Sequence, residues 1–527
     1  PVAASKGVFN DDERRLMIES GIAISAPSLD QVVLERYFTY FALTLPSSML
    51  SVSYCRSDFQ GREMLPSIIV SQLHALFSDI TENTREPDIL YRVQNAQSAL
   101  SHYAAYFHAP DTPEAAALRM FLSGRSGIRE RLDKAAVKTP HTLRNTQSTR
   151  ALFGTSMRLS PSRVERYHSC PYSFFASDGL RLKKRKKVEF TPLESGNVIH
   201  HVLHVCVQKY QGRGLAELTQ KQLEKEVRSV IGDYISARVE KADDLPVRFR
   251  YLFERLCGML SRLLKHIGDE FAQSRFDPVA YEMPIRLDGD VEPLNLKTAD
   301  GTSVVVEGII DRVDVMTAKN GVKYVRVVDY KSGRKDFKLQ DILSGLNLQM
   351  LLYLFTLQEN GKGPLENVLP AGVLYMPVRE AFITAGRDTT DAEMAGERRK
   401  NWRMSGLLLE DAEILAGMEA DMAGIFIPAK LKKDGSLDSY SSVADLSRMG
   451  RLGAKVQDMI IQMAAALSQG GIAAHPVDAP DYPICAYCDY RALCGFEDGD
   501  AVRKIAKLDR EKVFELLESE ADDVSGS

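Results

Sequence analysis

Two strand-like segments joined by an Asn-Gly turn constrain the fold of this chain more than any other feature. The hydrophobic period changes from helical to two residues in SVVVEGIIDRVDVM (303–316) and again in VKYVRVVDYKSG (322–333). The intervening TAKNG contains Asn320-Gly321, the strongest short signal for a tight β-hairpin turn. The sequence therefore predicts an antiparallel hairpin at the centre of an α/β unit.

The hairpin places charged side chains on one face. Residues two apart on a strand point the same way, so Asp329 and Lys331 share a face, Tyr330 points away, and the preceding strand supplies Asp311. Two carboxylates and a lysine suit Mg²⁺ or Mn²⁺ with a water beside it. Lys331 would orient that water, help to deprotonate it, or neutralise charge; the residues leave these roles open.

An Asp-x-Lys pair on a strand is, taken alone, most often a solvated surface hairpin. Here the apolar run VV precedes Asp329 directly. That run puts the acid at the inner end of a buried strand, where an unpaired carboxylate is costly. The context therefore favours a functional site over a surface turn.

The remaining pattern predicts further elements. In the first region we predict helices in DDERRLMIES (11–20), SLDQVVLERYFTYFAL (28–43) and DTPEAAALRMFLSG (111–124), and a short buried strand in MLSVSYC (49–55). The polar segment 136–157 suggests a domain boundary. Beyond it, helices are predicted over 198–206, 215–275, 346–361, 391–423 and 452–470, and a strand over 371–378.

Bulk properties exclude several classes of protein. No run of 18 apolar residues occurs, so no membrane span is predicted. The net charge of −4 requires that any nucleic-acid contact come from local basic patches. No GxxxxGK[ST] phosphate loop is present, so the residues contain no motor site of that type. The odd count of seven cysteines argues against a disulfide framework and for a reducing cytoplasm.

Three of the seven cysteines, Cys485, Cys488 and Cys494, lie within ten positions in CAYCDYRALC. Thiolates at this spacing are typical of part of a metal or cluster site, for which a tetrahedral arrangement needs a fourth ligand. Cys206 and Cys257 lie on apolar helical faces and are predicted to be core residues.

The segments EGIIDRVD, VVDYKSG and LQMLLYL resemble the nuclease domain of the RecB family, within the restriction-endonuclease-like fold. SGNVIH matches the family's Gly-x-x-x-His helix at Gly196 and His200, AYEMPI offers Glu282 as a supporting acid, and Gln349 and Tyr353 match its Gln-x-x-x-Tyr helix. The resemblance implies metal binding by His200, Asp311, Asp329 and a backbone oxygen of Tyr330. It also implies that Lys331 is catalytic, with Gln349 and Tyr353 supporting the site. A zinc site at His200 and His204 is the alternative that their i,i+4 spacing allows.

Some members of this family enclose the nuclease domain with an iron–sulfur cluster. By that resemblance, Cys170 in HSCPYSFF joins Cys485, Cys488 and Cys494 as ligands of a [4Fe–4S] cluster that clips the start of the domain to its end. A Cys₄ zinc site is the competing interpretation.

The wider sequence resembles the C-terminal half of the AddB family, whose members belong to bacterial AddAB helicase–nucleases. The implied organisation is the end of a helicase-like α/β region (1–150), a RecB-type nuclease domain with a mixed sheet flanked by helices (156–500) and an acidic tail (501–527). The implied function is Mg²⁺-dependent exonuclease cleavage of the 5′-ended strand, unwound from double-strand DNA ends by an AddA-type partner in a heterodimer, during break repair. A DNA-binding scaffold with an inactive nuclease fold and a stand-alone iron–sulfur exonuclease are the alternatives.

One basic run, RLKKRKK (181–187), is a candidate DNA contact between Cys170 and the His200 helix. Its basic side chains are Arg181, Lys183, Lys184, Arg185, Lys186 and Lys187. Such runs are usually solvated, but this position suits phosphate tracking.

Overall fold

The computed structural model describes residues 9, 11–25, 28–58, 62–82, 93–105, 112–125, 127–128, 130–131, 141–184, 192–237, 247–333, 337–379, 389–479, 482–497 and 500–525. The chain divides into two compact units, residues 1–138 and 139–527. Among the described residues, no helix combines the length and the apolar character needed to cross a membrane.

The first unit is built from helices in the part that is described. They are α1 (Asp11–Glu19), α2 (Ser28–Thr44), α3 (Ile68–Leu76), α4 (Ala96–Ala105) and α5 (Pro113–Ser123). Thr112 caps α5 by accepting the N–H of Ala115 at 3.2 Å, which confirms the predicted helix start. The strand predicted over 49–55 is wrong: these residues form no strand and nearly all are exposed. A segment with high strand propensity forms a stable strand only when it pairs with a neighbouring strand, and none of the described strands pairs with this segment.

The second unit contains the predicted hairpin. Its helices are α6 (Thr146–Phe153), α7 (Pro161–Ser169), α8 (Pro171–Phe174), α9 (Pro192–Lys209), α10 (Gly214–Glu217), α11 (Gln220–Ser236), α12 (Val247–Gln273), α13 (Leu339–Ile342), α14 (Gln349–Asn360), α15 (Asp391–Trp402), α16 (Ala412–Met418), α17 (Leu446–Ser468), α18 (Arg491–Cys494) and α19 (Arg510–Ser525). Its strands are β1 (Ser156–Leu159), β2 (Asp277–Ile285), β3 (Asn295–Lys297), β4 (Ser303–Val306), β5 (Gly308–Thr317), β6 (Lys323–Lys331), β7 (Val368–Pro377), β8 (Ser405–Leu409), β9 (Val443–Ala444), β10 (Val477–Ala479), β11 (Tyr482–Pro483) and β12 (Arg503–Lys504).

The main sheet of this unit is mixed, with strand order β2-β5-β6-β7-β8-β9. The pairs β2/β5, β5/β6 and β7/β8 are antiparallel, whereas β6/β7 and β8/β9 are parallel. Helix α14 lies in the crossover from β6 to β7, and its residues 350–357 are all buried. This confirms the predicted α/β class with a mixed sheet flanked by helices.

The hairpin forms where the Asn-Gly signal predicts it. Asn320 accepts the N–H of Val322 at 3.0 Å through its side chain, and Gly321 has φ +82°. The segment 303–316, predicted as one strand, divides at Glu307. β4 pairs with β1 and β3 in a separate three-stranded sheet, while β5 continues into the main sheet.

The helix predicted over 391–423 is also wrong in its middle. β8 lies between α15 and α16 and pairs with β7, so that Leu407 opposes Val373. Gly406 allows this close approach, because an added Cβ would collide with the carbonyl of Val373. A short apolar run such as SGLLL fits a strand and a buried helix equally well, so periodicity could not separate them.

A cluster of four buried charges supports the hairpin on the face opposite Asp311 and Asp329. We call Glu270, Arg312, Asp314 and Arg326 the charge quartet; all four side chains are fully buried. Glu270 of α12 contacts Arg326 at 2.6 Å and Arg312 at 3.3 Å. Asp314 contacts Arg326 at 2.8 Å and Arg312 at 3.0 Å. Two positive and two negative charges therefore balance between α12 and the hairpin.

The segments that flank the sheet in sequence also lie in the second unit. Helix α6 belongs to this unit although its residues fall largely within the region 1–150 that we assigned to the helicase-like part. The acidic tail is ordered as far as it is described, because β12 pairs with β10 and α19 buries Val513, Phe514 and Leu517 in the main core.

Candidate metal centre and cysteine site

Three potential metal ligands come together from separate elements. His200 lies on α9, Glu282 on β2 and Asp311 on β5, and one ligand atom from each lies within 4.8 Å of the other two. His200 Nδ1 is 3.4 Å from Asp311 Oδ2 and 3.9 Å from Glu282 Oε1. One imidazole and two carboxylates form a donor set suited to a hard or borderline divalent cation.

The register of β2 against β5 explains why Glu282 joins this group. The pairs Tyr281–Arg312 and Met283–Ile310 flank it and place Glu282 opposite Asp311. Cross-strand neighbours project on the same face of a sheet. Glu282 also has φ +44°, a left-handed conformation that is costly for a residue with a side chain and is concentrated at functional sites.

Asp329 lies beside this group and is held by two neighbours. Lys331 Nζ is 2.6 Å from Asp329 Oδ2, and Gln349 Nε2 donates to Asp329 Oδ1 at 3.3 Å. Lys331 Nζ also donates to Gln349 Oε1 at 3.4 Å, so the three side chains form a closed triangle. Burial and the charge of Asp311 raise the pKa of Asp329 to about 6, against the opposing effect of Lys331.

The electrostatics of His200 follow from the same group. Burial lowers its pKa, but the hydrogen bond and charge of Asp311 outweigh burial, helped by the charges of Asp329 and Glu282, so the net shift is upward. Burial and the charge of Asp311 raise the pKa of Glu282 in turn. Several carboxylates competing for few positive charges form an arrangement that a bound cation would relieve.

The backbone and side chain of Tyr330 face different parts of the unit. Its N–H donates to Asp311 Oδ2 at 2.8 Å, which fixes the carboxylate that faces His200. Its hydroxyl accepts from Arg312 Nη1 at 3.3 Å on the opposite face of the sheet. The predicted orientation of Tyr330 away from Asp329 and Lys331 is therefore observed. A role for its carbonyl oxygen as a ligand remains a prediction.

Tyr353 supports the start of β5. It lies one turn beyond Gln349 on α14 and interacts with the Gln349 side chain and the backbone of Ile309. Burial raises its pKa to about 12, so the hydroxyl stays protonated. Its ring packs on Gly308, where a Cβ would collide with it. Gly308 is thus required by close packing.

His204, the alternative zinc ligand, has a different environment. Its Nε2 is 3.1 Å from Gln208 Oε1 on the same helix, and its ring lies 6.1 Å from that of Tyr281. Among the described residues, the three-ligand group contains His200 but not His204. Within the described part of the chain, His204 therefore joins no group of three potential ligands, and the zinc alternative stays a prediction.

The four predicted cluster ligands lie where the first and last segments of the unit meet. We call Cys170, Cys485, Cys488 and Cys494 the cysteine site. Burial and the charges of the other three thiols raise the pKa of Cys485, so the four groups are near one another. Tyr172 Oη donates to the carbonyl of Leu493 at 3.0 Å and joins the two segments. Cys206 and Cys257 are buried, which confirms them as core residues.

The four sulfurs can be compared with the ligand spacing of a closed zinc site. Ligands of a tetrahedral zinc with Zn–S bonds of about 2.3 Å lie about 3.8 Å apart. Among the described residues, which include all four of these cysteines, no three cysteine sulfurs lie within 4.8 Å of one another. The arrangement is wider than a closed zinc site.

Part of the basic run adjoins the cysteine site. Lys184 Nζ is 2.9 Å from Asp489 Oδ1, and Tyr490 Oη donates to the carbonyl of Leu182 at 2.9 Å. Arg181, Lys183 and Lys184 are exposed. Arg185, Lys186 and Lys187 lie outside the described residues.

Sequence reasoning missed the charge quartet. Arg312, Asp314 and Arg326 have the alternation of a solvent-exposed strand face, yet α12 covers them. The only local signal was Glu270 within the apolar pattern of α12. Its partners lie 42 to 56 positions away in sequence, so the position of Glu270 alone could not identify them.

Comparison with known proteins relates the chain to one nuclease superfamily and to several curated proteins. The model of the PD-(D/E)XK nuclease superfamily matches residues 158–495. Among curated relatives, a protein of Clostridium acetobutylicum named as a subunit of an ATP-dependent helicase/deoxyribonuclease is 29% identical over 548 residues, covering 98% of this chain and 47% of the relative. The protein of the same name from Symbiobacterium thermophilum is 30% identical over 553 residues, covering 98% and 46%. The chain thus spans about half the length of the curated relatives it matches.

Proposed function

This chain belongs to the PD-(D/E)XK nuclease superfamily, and on that premise we propose that its second unit is a metal-dependent deoxyribonuclease. The observation that carries the proposal is the convergence of His200, Glu282 and Asp311 beside the Asp329–Lys331 pair. The donor chemistry fits Mg²⁺, with Mn²⁺ as a substitute. Asp329 is the remaining ligand candidate, and the backbone oxygen of Tyr330 is another.

Each residue has a distinct part in the proposed reaction. A divalent cation bound by this donor set would acidify a coordinated water and offset charge on the scissile phosphate. Lys331 holds an ammonium group next to Asp329, where it can orient a nucleophilic water or neutralise charge. Gln349 bonds to both that ammonium group and the Asp329 carboxylate and so holds them in position relative to each other. Tyr353 fixes the start of the strand that carries Asp311.

We propose that the chain acts as part of the AddB-type component of an ATP-dependent helicase–nuclease, in line with the names of its relatives. In this assignment an AddA-type partner unwinds double-strand ends, and the second unit degrades the 5′-ended single strand during break repair. The basic residues Arg181, Lys183 and Lys184 would contact DNA phosphates. A cytoplasmic location fits the seven cysteines, all of them in the described part of the chain and none of them disulfide-bonded.

We propose that the cysteine site holds a [4Fe–4S] cluster with a structural role. Its position between the first and last segments of the unit supports this assignment, as does the proximity of its four thiols. Such a clip closes a loop of more than 300 residues at an entropic cost that grows only logarithmically with length. Purified protein should be brown and contain about four iron and four sulfide ions per chain. Colourless protein with stoichiometric zinc would overturn the cluster assignment.

The nuclease proposal is tested with a single-stranded DNA end and Mg²⁺. Asp329→Ala and Lys331→Ala should each lower the rate by at least about 100-fold, because each removes a group next to the reacting phosphate. Asp421→Ala and Lys507→Ala, at exposed positions of the same unit, are the matched controls and should retain the wild-type rate. Unchanged rates in both site variants would refute the proposed centre. Full DNA binding with no cleavage by the wild type, alone or with its motor partner, would favour a scaffold.

A further inference from the structure

Glu165 connects the first helix of the second unit's nuclease region to the helix that carries Gln349. It lies half-buried on α7, which begins at Pro161 and ends directly before Cys170. Its Oε1 accepts the backbone N–H of Gln349 at 3.2 Å, across 184 positions of sequence. The contact therefore joins two elements that only the fold brings together.

The bonded N–H is the first of α14. Leading N–H groups of a helix have no partner within the helix and need a cap. Leu348, the residue in the cap position, provides no side-chain hydrogen bond. The Glu165 carboxylate takes that place, and its negative charge also suits the positive end of the helix dipole.

The capped residue belongs to the centre itself. Gln349 donates to Asp329 and accepts from Lys331 through the two ends of its amide group. Because the amide is planar, a small displacement of the Gln349 backbone would break one of these bonds or both. Through Gln349, Glu165 therefore influences the positions of the Asp329 and Lys331 side chains.

Two further contacts fix α7 against this region. His168, one turn beyond Glu165, packs against Gly345, where a Cβ would collide with the His168 ring. Gly345 belongs to the turn that precedes α14 and has φ +77°. Glu165 also faces Tyr375, whose ring lies 5.6 Å from Lys331 Nζ. Helix α7 is thus held against the turn that precedes α14 and beside Tyr375.

We propose that Glu165 is a positioning residue of the nuclease centre, which holds Gln349 where its amide bonds to both Asp329 and Lys331. This inference rests on the proposed nuclease function. Glu165 acts through Gln349 and does not itself contact substrate or metal.

The test measures Mg²⁺-dependent cleavage of a single-stranded end by the whole chain. Glu165→Ala should lower kcat by about 10- to 100-fold with little change in the KM for DNA, because misplacing catalytic groups affects the chemical step. Glu165→Gln keeps a carbonyl oxygen that can accept the same N–H and should recover most of the rate. Glu217→Ala, at an exposed glutamate of the same unit, is the matched control.

A double variant separates positioning from an independent role. If Glu165 acts only through Gln349, then Glu165→Ala should have no further effect in a Gln349→Ala background. Multiplicative losses in the double variant would overturn the inference. A wild-type rate in Glu165→Ala, or a rate for Glu165→Gln as low as that of Glu165→Ala, would also overturn it.

Hydrogen exchange provides a readout that does not depend on activity. Glu165→Ala should accelerate amide exchange in the first turn of α14, over 349–353, while Glu217→Ala leaves it unchanged. Inactive wild-type protein would refute the proposed function, but the exchange result would still decide whether Glu165 holds Gln349. Unchanged exchange in Glu165→Ala would refute the positioning role even in an active enzyme.

Discussion

Replacing Glu270 with glutamine should destabilise the second unit by about 3–5 kcal/mol, because it leaves a net positive charge in a fully buried cluster. Glu270 contacts both Arg326 and Arg312, and all of these side chains are inaccessible to solvent. Glutamine preserves the size of the side chain, so loss of charge is the main change. With an unfolding slope of about 3 kcal/mol/M, the urea midpoint should fall by about 1–1.7 M.

The assay uses the only tryptophan of the chain. Trp402 is buried in the second unit and donates to the carbonyl of Arg379 at 3.1 Å. Its fluorescence in urea therefore reports unfolding of this unit alone. Glu254→Gln is a matched control on the same helix α12, since Glu254 pairs with Arg228 but both side chains are more than half exposed. Exposed pairs contribute at most about 1 kcal/mol, so its midpoint should change little.

The pH dependence provides an independent check. Burial raises the pKa of Glu270, but the charges of Arg312 and Arg326 outweigh burial and hold it below its ordinary value of 4.5. The stabilisation is therefore complete above about pH 4.5 and is lost as the pH falls toward the native pKa. The difference in urea midpoint between the wild type and Glu270→Gln should become smaller below that pH. Equal, small midpoint shifts for Glu270→Gln and Glu254→Gln would refute the reasoning.

Two further perturbations follow from buried packing. Burial lowers the pKa of His266 to about 4 from an ordinary value of 6.5, so the unfolded state binds more protons between these values and stability falls with falling pH. At pH 5 this lowers the free energy of unfolding by about 2 kcal/mol. In urea unfolding followed by Trp402 fluorescence, His266→Phe should remove that part of the stability difference between pH 7 and pH 5. An unchanged stability difference in the variant would contradict the explanation. Gly308→Ala should displace Tyr353 and lower the cleavage rate by about 10-fold or more, whereas Gly232→Ala, where a Cβ enters open space, should not. Equal rates in the two glycine variants would show that this close contact does not matter to the centre.

Local sequence determined the hairpin and the face on which its reactive groups lie. The Asn-Gly turn fixes the register, and alternation then puts Asp329 and Lys331 on one side with Tyr330 on the other. The i,i+4 spacing of Gln349 and Tyr353 likewise follows from helical geometry alone. These features needed only neighbours close in sequence.

The assembled ligand group was predictable only with help from resemblance. His200, Glu282 and Asp311 are separated from one another by 29 to 111 positions, and their motifs suggested that they share a site. Their meeting depends on how α9 packs on the sheet and on the register of β2 against β5. The sequence left Glu282 as a supporting acid, whereas the structure places it with His200 and Asp311 and keeps Asp329 in the Lys331–Gln349 triangle.

Only the tertiary structure decided the contacts between surfaces that no local sequence pattern links. Glu165 looks like an ordinary polar residue on a short helix, and Arg312, Asp314 and Arg326 look like a solvated strand face. Packing of α7 against α14 and of α12 against the hairpin gives these residues their partners. Periodicity records which side of an element is apolar, but the identity of the element that covers a polar side is set by the whole fold. For that reason the sequence determined the reactive face of the hairpin, and the folded chain determined what holds it in place.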